Sequence, residues 1–282
     1  MSAQTREPDR YAHTRAAAVL APLSRALVGA LLLFALAACG TGGGGGPAGP
    51  SGPDGPNGPD GPGTPLTLLP DAVPVGLDPS GGNVDACSLT GRAFDDDVTV
   101  PPDVACAFTE VTIAGDLVLA PGASVNSVAG SVEGNVLVYP DASYAADGTE
   151  IDGNVQAERA SRVDLLDTLV GGNVQTEEVP AVEVVLGAVD GDVQPDDGGT
   201  VRVAEVRVGG NVQPVGNSGP VTISENVVDG DVQPSSNGGG VTIFGNLIGG
   251  NLQCESNDPA PTGSANVVSG SAEGQCASGF TL

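Results

Sequence analysis

The hydrophobic positions of this chain repeat with a nearly constant period over its C-terminal two thirds. A phrase of the form Val/Ile-x-Gly-Asn/Asp-Val/Leu recurs, and its central glycine falls at 115, 134, 153, 172, 191, 210, 230, 250 and 270. The intervals are nineteen residues five times and then twenty residues three times. A second apolar pair follows the phrase, as at Val163 and Leu165 or Val201 and Val203. Such regularity is typical of a repeat protein whose units pack on their neighbours.

The period predicts strands rather than helices. Nineteen residues are too few for paired helices or a leucine-rich repeat, and alternating valines between glycine-containing corners favour strands and turns. One unit therefore supplies three short strands and one turn of an all-β, single-stranded parallel β-helix, with about nine coils of 19–20 residues stacked ~4.8 Å apart. Crossover chirality favours a right-handed coil. We expect the apolar residues flanking each glycine to form ladders along the bore. The glycine is expected where a side chain would crowd that bore or where the strand bends.

Two polar positions recur with the same period. Asn or Asp follows each central glycine, and Gln stands three residues after the glycine in six successive units. Stacked side-chain amides can hydrogen-bond along a ladder, so a structural role is favoured over a ligand site. The ladder residues are predicted to be Asn135, Asn154, Asn173, Asn211 and Asn251, together with Gln156, Gln175, Gln194, Gln213, Gln233 and Gln253.

The N-terminus, residues 1–38, has the features of an export signal. Arg6, Arg10, Arg15 and Arg25 precede an apolar run over residues 26–38, which is short for a membrane span. The run ends in Leu36-Ala37-Ala38-Cys39, which resembles the lipobox of bacterial lipoproteins. That resemblance implies cleavage before Cys39, lipidation of its thiol and acylation of the new amino terminus. Gly40 after the cysteine resembles lipoproteins sorted to an outer membrane, where the envelope has one.

Residues 39–84 are rich in Gly and Pro and predict a disordered tether before the repeat domain, which spans residues 85–282. From Gly46 the tether contains six Gly-Pro-x triplets. Glycine at every third position also suits a collagen-like triple helix. Because six triplets offer few interchain contacts, we favour a stiff extended spacer over a trimer.

Four cysteines remain once Cys39 is set aside, and they allow three pairings. Cys87 and Cys106 flank the first predicted coil, whereas Cys254 and Cys276 flank the last. A disulfide needs its Cα atoms within about 7 Å, which excludes pairs between the ends of a rod of about nine coils. The local pairs Cys87–Cys106 and Cys254–Cys276 are therefore predicted, in an oxidising compartment. A zinc site is disfavoured because no Cys-x-x-Cys occurs.

The acidic composition of the chain bears on which partners and metals it can bind. The chain has 35 Asp and Glu against 9 Lys and Arg, a net charge of −26, which excludes nucleic acid as a partner. In five successive phrases Asp-Gly-Asp alternates with Gly-Gly-Asn, which spaces like charges two coils apart. Asp190 and Asp192, and likewise Asp229 and Asp231, share a strand face, and they are the weak candidates for calcium. No other metal or cofactor is predicted.

An enzyme is disfavoured, and no catalytic residue is predicted. Lys is absent, the single histidine, His13, lies in the signal segment, and Trp is absent. Many β-helix proteins nevertheless act on polysaccharides, and fold alone does not decide function. The alternatives are therefore a polysaccharide lyase or glycosidase, which needs acidic or basic groups across a groove, and a calcium-dependent glycan binder.

The C-terminal end resembles a group of uncharacterised bacterial secreted proteins with Val-x-Gly-Asn-Val-Gln repeats. The similar segments are Gly249-Gly-Asn-Leu-Gln-Cys254, Pro-Ala-Pro-Thr-Gly at 259–263 and Glu273-Gly-Gln-Cys276. The resemblance covers about residues 98–276 and implies a parallel β-helix, without an activity to transfer. We therefore expect a lipid-anchored, non-enzymatic cell-envelope protein that displays an acidic rod in a structural or adhesive role. Its expected partners are the membrane, through the lipid, and a surface glycan or envelope protein; a monomer is expected.

Overall fold

The repeat region folds as an all-β parallel solenoid of about ten turns. The computed structural model describes residues 75–76 and 86–278, and no helix occurs among them. Nearly all paired strands are offset by 19 or 20 residues, and every pairing between strands is parallel. The predicted fold class is thus confirmed. The predicted signal segment, Cys39 and the Gly-Pro-x tether lie outside the described residues.

Each turn contributes one segment to each of three ladders, which we call ladders A, B and C. Ladder A contains the residues that follow the Gly-Asn/Asp phrase, and two of its turns, at Val212 and Val232, pair through single bridges only. Its strands are Val75–Gly76, Val98–Val100, Leu117–Leu119, Val136–Val138, Val155–Glu158, Val174–Glu177, Val193–Asp196, Leu252–Cys254 and Ala272–Gly274.

Ladder B contains the second apolar pair of each turn. Its strands are Ala86–Thr90, Ala105–Thr109, Ser124–Val128, Ser143–Asp147, Arg162–Val170, Ala181–Val189, Thr200–Ala204, Val221–Ser224, Val241–Phe244 and Thr262–Ser264.

Ladder C is short, and most of its strands end on the first residue of the phrase. Two ladder B strands, Arg162–Val170 and Ala181–Val189, continue around the corner and supply their own ladder C segments. The remaining ladder C strands are Ala93–Phe94, Thr112–Ile113, Ser131–Val132, Glu150–Ile151, Arg207–Val208, Val227–Val228, Leu247–Ile248 and Val267–Val268.

The core is a stack of aliphatic side chains from all three ladders. Val136 pairs with Val155, and Val155 with Val174, so residues one period apart lie directly above one another. All three are at most 1% exposed. Ladders B and C add stacks of the same kind, as at Val163, Leu165 and Val170. Because each turn covers the apolar side of its neighbour, the fold needs few aromatic residues.

The central glycines lie at bends of the chain, as one of the two expectations had it, and the atoms that crowd them belong to the preceding coil rather than to the bore. A Cβ on Gly172 would lie 2.4 Å from Oδ1 of Asn154 and 2.9 Å from the carbonyl oxygen of Gly153. The crowding atoms belong to the Gly-Asn pair of the turn below. The Gly-Asn/Asp pair is therefore one steric unit, in which the amide of one coil occupies the space left by the glycine of the next.

Both predicted disulfides are confirmed. Cys87 and Cys106 stack in consecutive turns of ladder B, with their Cα atoms 4.4 Å apart. Cys254 lies in ladder A and bonds Cys276, which follows the last strand of ladder A, at a Cα separation of 5.3 Å. Cys254 and Cys276 are almost fully buried, so this bond closes the C-terminal end of the core.

The solenoid has one more turn than the sequence phrase counts. The strand Val98–Val100 is preceded by Asp95-Asp96-Asp97, so an aspartate occupies the place of the central glycine. Asp97 nevertheless starts the Asn/Asp ladder, because its Oδ1 accepts the backbone N–H of Asp116 at 2.8 Å. The first coil is thus regular in structure but lacks the glycine on which the sequence period was counted.

Candidate functional site

A continuous side-chain ladder runs along the corner before ladder A. At each turn, Oδ1 of the Asn or Asp accepts the backbone N–H of the equivalent residue one coil further on. The ladder residues are Asp97, Asp116, Asn135, Asn154, Asn173, Asp192, Asn211, Asp231, Asn251 and finally Ser271, whose N–H is the last donor. The side chain thus binds a backbone donor that would otherwise lack a partner at the corner. This geometry is structural, because each of these ladder oxygens is occupied by a backbone donor.

The six glutamines lie on the outer face of ladder A and are joined by their amides. Each Nε2 donates to Oε1 of the next glutamine, from Gln156 to Gln175 at 3.3 Å and from Gln194 to Gln213 at 2.8 Å. The last member, Gln253, donates to Glu273 at 3.2 Å. These bonds hold the partly buried face of the rod in one register, as amide ladders do in stacked β-structures.

Two further asparagine ladders are fully inside the last three turns, and the sequence reasoning missed them. Asn217 is the extra residue of the first twenty-residue coil, because Gly216 lies over Asp197 while Ser218 donates to the carbonyl of Gly198. The stack continues through Asn237 and Asn257, and the second ladder consists of Asn226, Asn246 and Asn266.

These buried asparagines satisfy the corner backbone. Asn237 is 0% exposed; its Oδ1 accepts from the backbone N–H of Asn217, and its Nδ2 donates to Oδ1 of Asn257 and to the carbonyl of Pro214. A buried amide with all of these partners supports the fold rather than a ligand. The sequence signal was available: asparagine recurs every twenty residues at both positions.

A column of carboxylates follows ladder A. Glu158, Glu177 and Asp196 occupy equivalent positions in three consecutive coils, and Glu178 and Asp197 follow the last two. Burial, and then the charges of the four other carboxylates, raise the pKa of Glu177. Burial and the charge of Asp197 raise the pKa of Asp196. The spacing of like charges by two coils, which was predicted for the Asp-Gly-Asp phrases, does not extend to this column.

One shallow groove lies at the corner between ladders B and C. It has a volume of about 580 Å³, and its lining includes the carboxylates of Glu110, Glu150 and Asp167 and the glycines Gly130 and Gly148. Behind Gly130 lies a buried hydroxyl pair, in which Oγ of Ser127 and Oγ1 of Thr149 are 3.2 Å apart. No arginine lines the groove.

Three of the five arginines in the described residues form ion pairs with nearby acids. Nη2 of Arg159 is 2.6 Å from Oε1 of Glu158, and Nη2 of Arg207 is 2.6 Å from Oδ2 of Asp229. Arg162 pairs with Asp164 and, at 3.3 Å, with Glu183. Each of these three arginines is thus paired with different acids.

The four aspartates predicted as calcium candidates have different surroundings. Oδ1 of Asp192 and Oδ1 of Asp231 each accept a backbone N–H at 2.6 Å within the Asn/Asp ladder, while Asp229 pairs with Arg207 and Asp190 lies exposed on the corner. In the part of the chain that the structure describes, no three His, Cys, Asp or Glu residues form a group that could hold a metal ion. Calcium binding stays a prediction and belongs with the alternative function below.

Comparisons with protein-family models, curated proteins and solved structures return no match to this chain. Within residues 75–76 and 86–278, no helix is long and apolar enough to cross a membrane.

Proposed function

We propose that this protein is a lipid-anchored component of a bacterial cell envelope that displays a rigid, acidic β-solenoid in a structural or adhesive role. The observation that carries the proposal is the continuity of the side-chain ladders. The Asn/Asp ladder links successive coils from Asp97 to Ser271, and the glutamine ladder covers the outer face of ladder A. A rod joined in this way resists bending and suits the display of a surface at a distance from the membrane.

The anchor is the part of the proposal that rests on Leu36-Ala37-Ala38-Cys39. Expression in a bacterial host with a radiolabelled fatty acid should label the full chain and place it in the membrane fraction. Cys39→Ala should abolish the label and release the protein, whereas Cys254→Ala, which removes a disulfide cysteine, should keep the label. Equal labelling of wild type and Cys39→Ala would refute the anchor.

Carbohydrate binding or cleavage is the second candidate, and the groove favours it. Glu110, Glu150 and Asp167 bring three carboxylates to one concave surface, and a glycosidase needs two carboxyl groups across its substrate. A screen of acidic and neutral polysaccharides, with calcium and with chelator, tests this candidate. Loss of binding or cleavage in Glu150→Gln, but not in the distant Glu183→Gln, would favour it over display alone.

A further inference from the structure

The exposed large hydrophobic side chains of the described residues all lie on one side of the solenoid. We call this surface the apolar strip; its members are between 37% and 60% exposed and belong to the last outward position of ladder B, the corner after it, and the outward position of ladder C. They are Val128, Leu166, Leu169, Leu186, Val227, Phe244, Leu247 and Val267. Apolar side chains gathered on one face of an otherwise acidic protein indicate an interaction surface.

Four of the eight members of the strip are related by symmetry about the coil that contains Arg207. Along ladder C, Leu169 lies two coils before Arg207 and Leu247 lies two coils after it. Along ladder B, Leu166 and Phe244 lie two coils before and after Ala204. A two-fold axis through this coil, perpendicular to the rod, would therefore place Leu169 on Leu247 of a second copy and Leu166 on its Phe244.

We propose that the apolar strip is the contact surface of an antiparallel, side-by-side dimer of this chain. Its contact is isologous, because the same patch serves both copies. The dimer pairs Leu166 and Leu169 of each copy with Phe244 and Leu247 of the other.

Charge distinguishes this arrangement from a parallel dimer. A parallel two-fold would stack Asp167, Glu205 and Glu225, the acidic residues of the corner, each on its own copy, and would bring Asp147 against Glu150. In the antiparallel dimer only Glu205 meets its own copy. There Arg207 lies two residues away, with its guanidinium exposed. Asp167 and Glu225 then face Gly245 and Leu186 of the second copy. Fewer like charges meet, so the antiparallel register is favoured.

The contact is small. The strip overlaps its symmetry mate over six coil spacings of ~4.8 Å, and four strand residues at ~3.3 Å each set its width. The contact therefore covers roughly 380 Å² per copy, or roughly 760 Å² in total, below a standard interface. A dissociation constant in the micromolar range or weaker is therefore expected. Tethering to a surface would raise the local concentration enough to populate such a dimer.

Mixed cysteine variants of the full chain test the register. In a Cys39→Ser background, which leaves only the two native disulfides, Leu169→Cys and Leu247→Cys should form an intermolecular disulfide when mixed. Neither should do so alone, because each pair of identical residues lies about 19 Å apart in the dimer. Ser218→Cys, exposed on another corner, is the matched control and should not cross-link with either.

Sedimentation velocity of the Cys39→Ser full chain up to about 1 mM provides the second readout, and Leu247→Glu should weaken association at least about tenfold. Cross-linking of mixed Leu166→Cys and Leu169→Cys would instead indicate a parallel dimer and overturn the register. A monomer at all concentrations, without cross-linking, overturns the dimer. Binding of that monomer to phosphatidylcholine vesicles would identify the strip as a lipid contact.

Discussion

The residue that most constrains this solenoid is the glycine of the repeated phrase, because the Asn or Asp side chain of the coil below occupies the place of its Cβ. The distances of 2.4 Å and 2.9 Å at Gly172 are shorter than a Cβ can tolerate, so an alanine there must displace Asn154 or the backbone. The sequence made the glycine visible through its period. The side chain that crowds it, from the coil below, could not be identified without the register between coils.

Gly172→Ala should lower the free energy of unfolding by about 1–3 kcal/mol, as overpacking does in tightly packed interiors. The matched control is Gly238→Ala, because Gly238 has open space at its Cβ and no positive φ. The control should be neutral or stabilising by a few tenths of a kcal/mol to about 1 kcal/mol. Urea denaturation followed by circular dichroism measures both. Equal effects of the two substitutions would contradict this steric account.

The buried and surface asparagines should respond differently to a charge. Asn237→Asp places a carboxylate against Oδ1 of Asn257 and the carbonyl of Pro214, both acceptors. We expect a loss of about 3–5 kcal/mol at pH 7, the range for an uncompensated buried charge.

Asn154→Asp is the matched control for that substitution. It loses only the bond from Nδ2 to Asn135, about 1 kcal/mol, since Asp already occupies the same ladder position at residues 116, 192 and 231. Thermal melting of both variants shows whether the inner ladder needs an amide donor while the Asn/Asp ladder needs only an acceptor oxygen. A tolerated Asn237→Asp would mean that the inner ladder does not depend on its amide donors.

At the scale of the strands, the sequence predicted the features that the repeated phrase and the cysteines carry. It missed features that depend on residues between the phrases. The inward valines, the three strands per coil and both disulfides follow from spacing alone. Asn217 was missed because asparagine between Gly and Ser is typical of exposed loops. Asn226 was missed because it lies between Glu225 and Val227, outside the repeated phrase. The apolar strip was missed because Leu166 and Leu169, within the continuous strand Arg162–Val170, resemble core residues. Which of two adjacent leucines points outward depends on a register that composition does not give.

The column of Glu158, Glu177 and Asp196 predicts a pH dependence. Because the pKa of Glu177 and that of Asp196 are raised in the folded state, the folded protein binds more protons than the unfolded chain between the unfolded and folded pKa values. Stability at this column therefore increases as the pH falls through the folded pKa values and stops increasing below the unfolded ones.

Thermal melting between pH 7 and about pH 4 should show this gain. Glu177→Gln should raise the midpoint at pH 7 and reduce the gain on acidification. Glu183→Gln removes the same charge at a position paired with Arg162 and should not raise the midpoint. If both variants raise it equally, net charge rather than the column is responsible.

At the scale of the whole molecule, the net charge of −26 opposes the compact state. Salt screens this repulsion, while the exposed arginine pairs contribute little that salt could weaken. The melting temperature should therefore rise with sodium chloride up to molar concentrations, and choline chloride should have the same effect if screening is the cause. A melting temperature that stays flat or decreases would contradict this account of the charge distribution.

The ladders, the disulfides and the apolar strip all depend on one feature of the fold: segments 19 or 20 residues apart lie directly on one another. Pulsed electron–electron double resonance on the Cys39→Ser chain measures this in solution, with pairs of spin labels on the outer column of ladder B. Asn126 and Thr242 are six coils apart through consecutive pairings, which predicts ~29 Å, with ~24 Å from Asn126 to Thr222 and ~19 Å from Asn126 to Arg202. Distances that do not increase by ~4.8 Å per coil would contradict the solenoid.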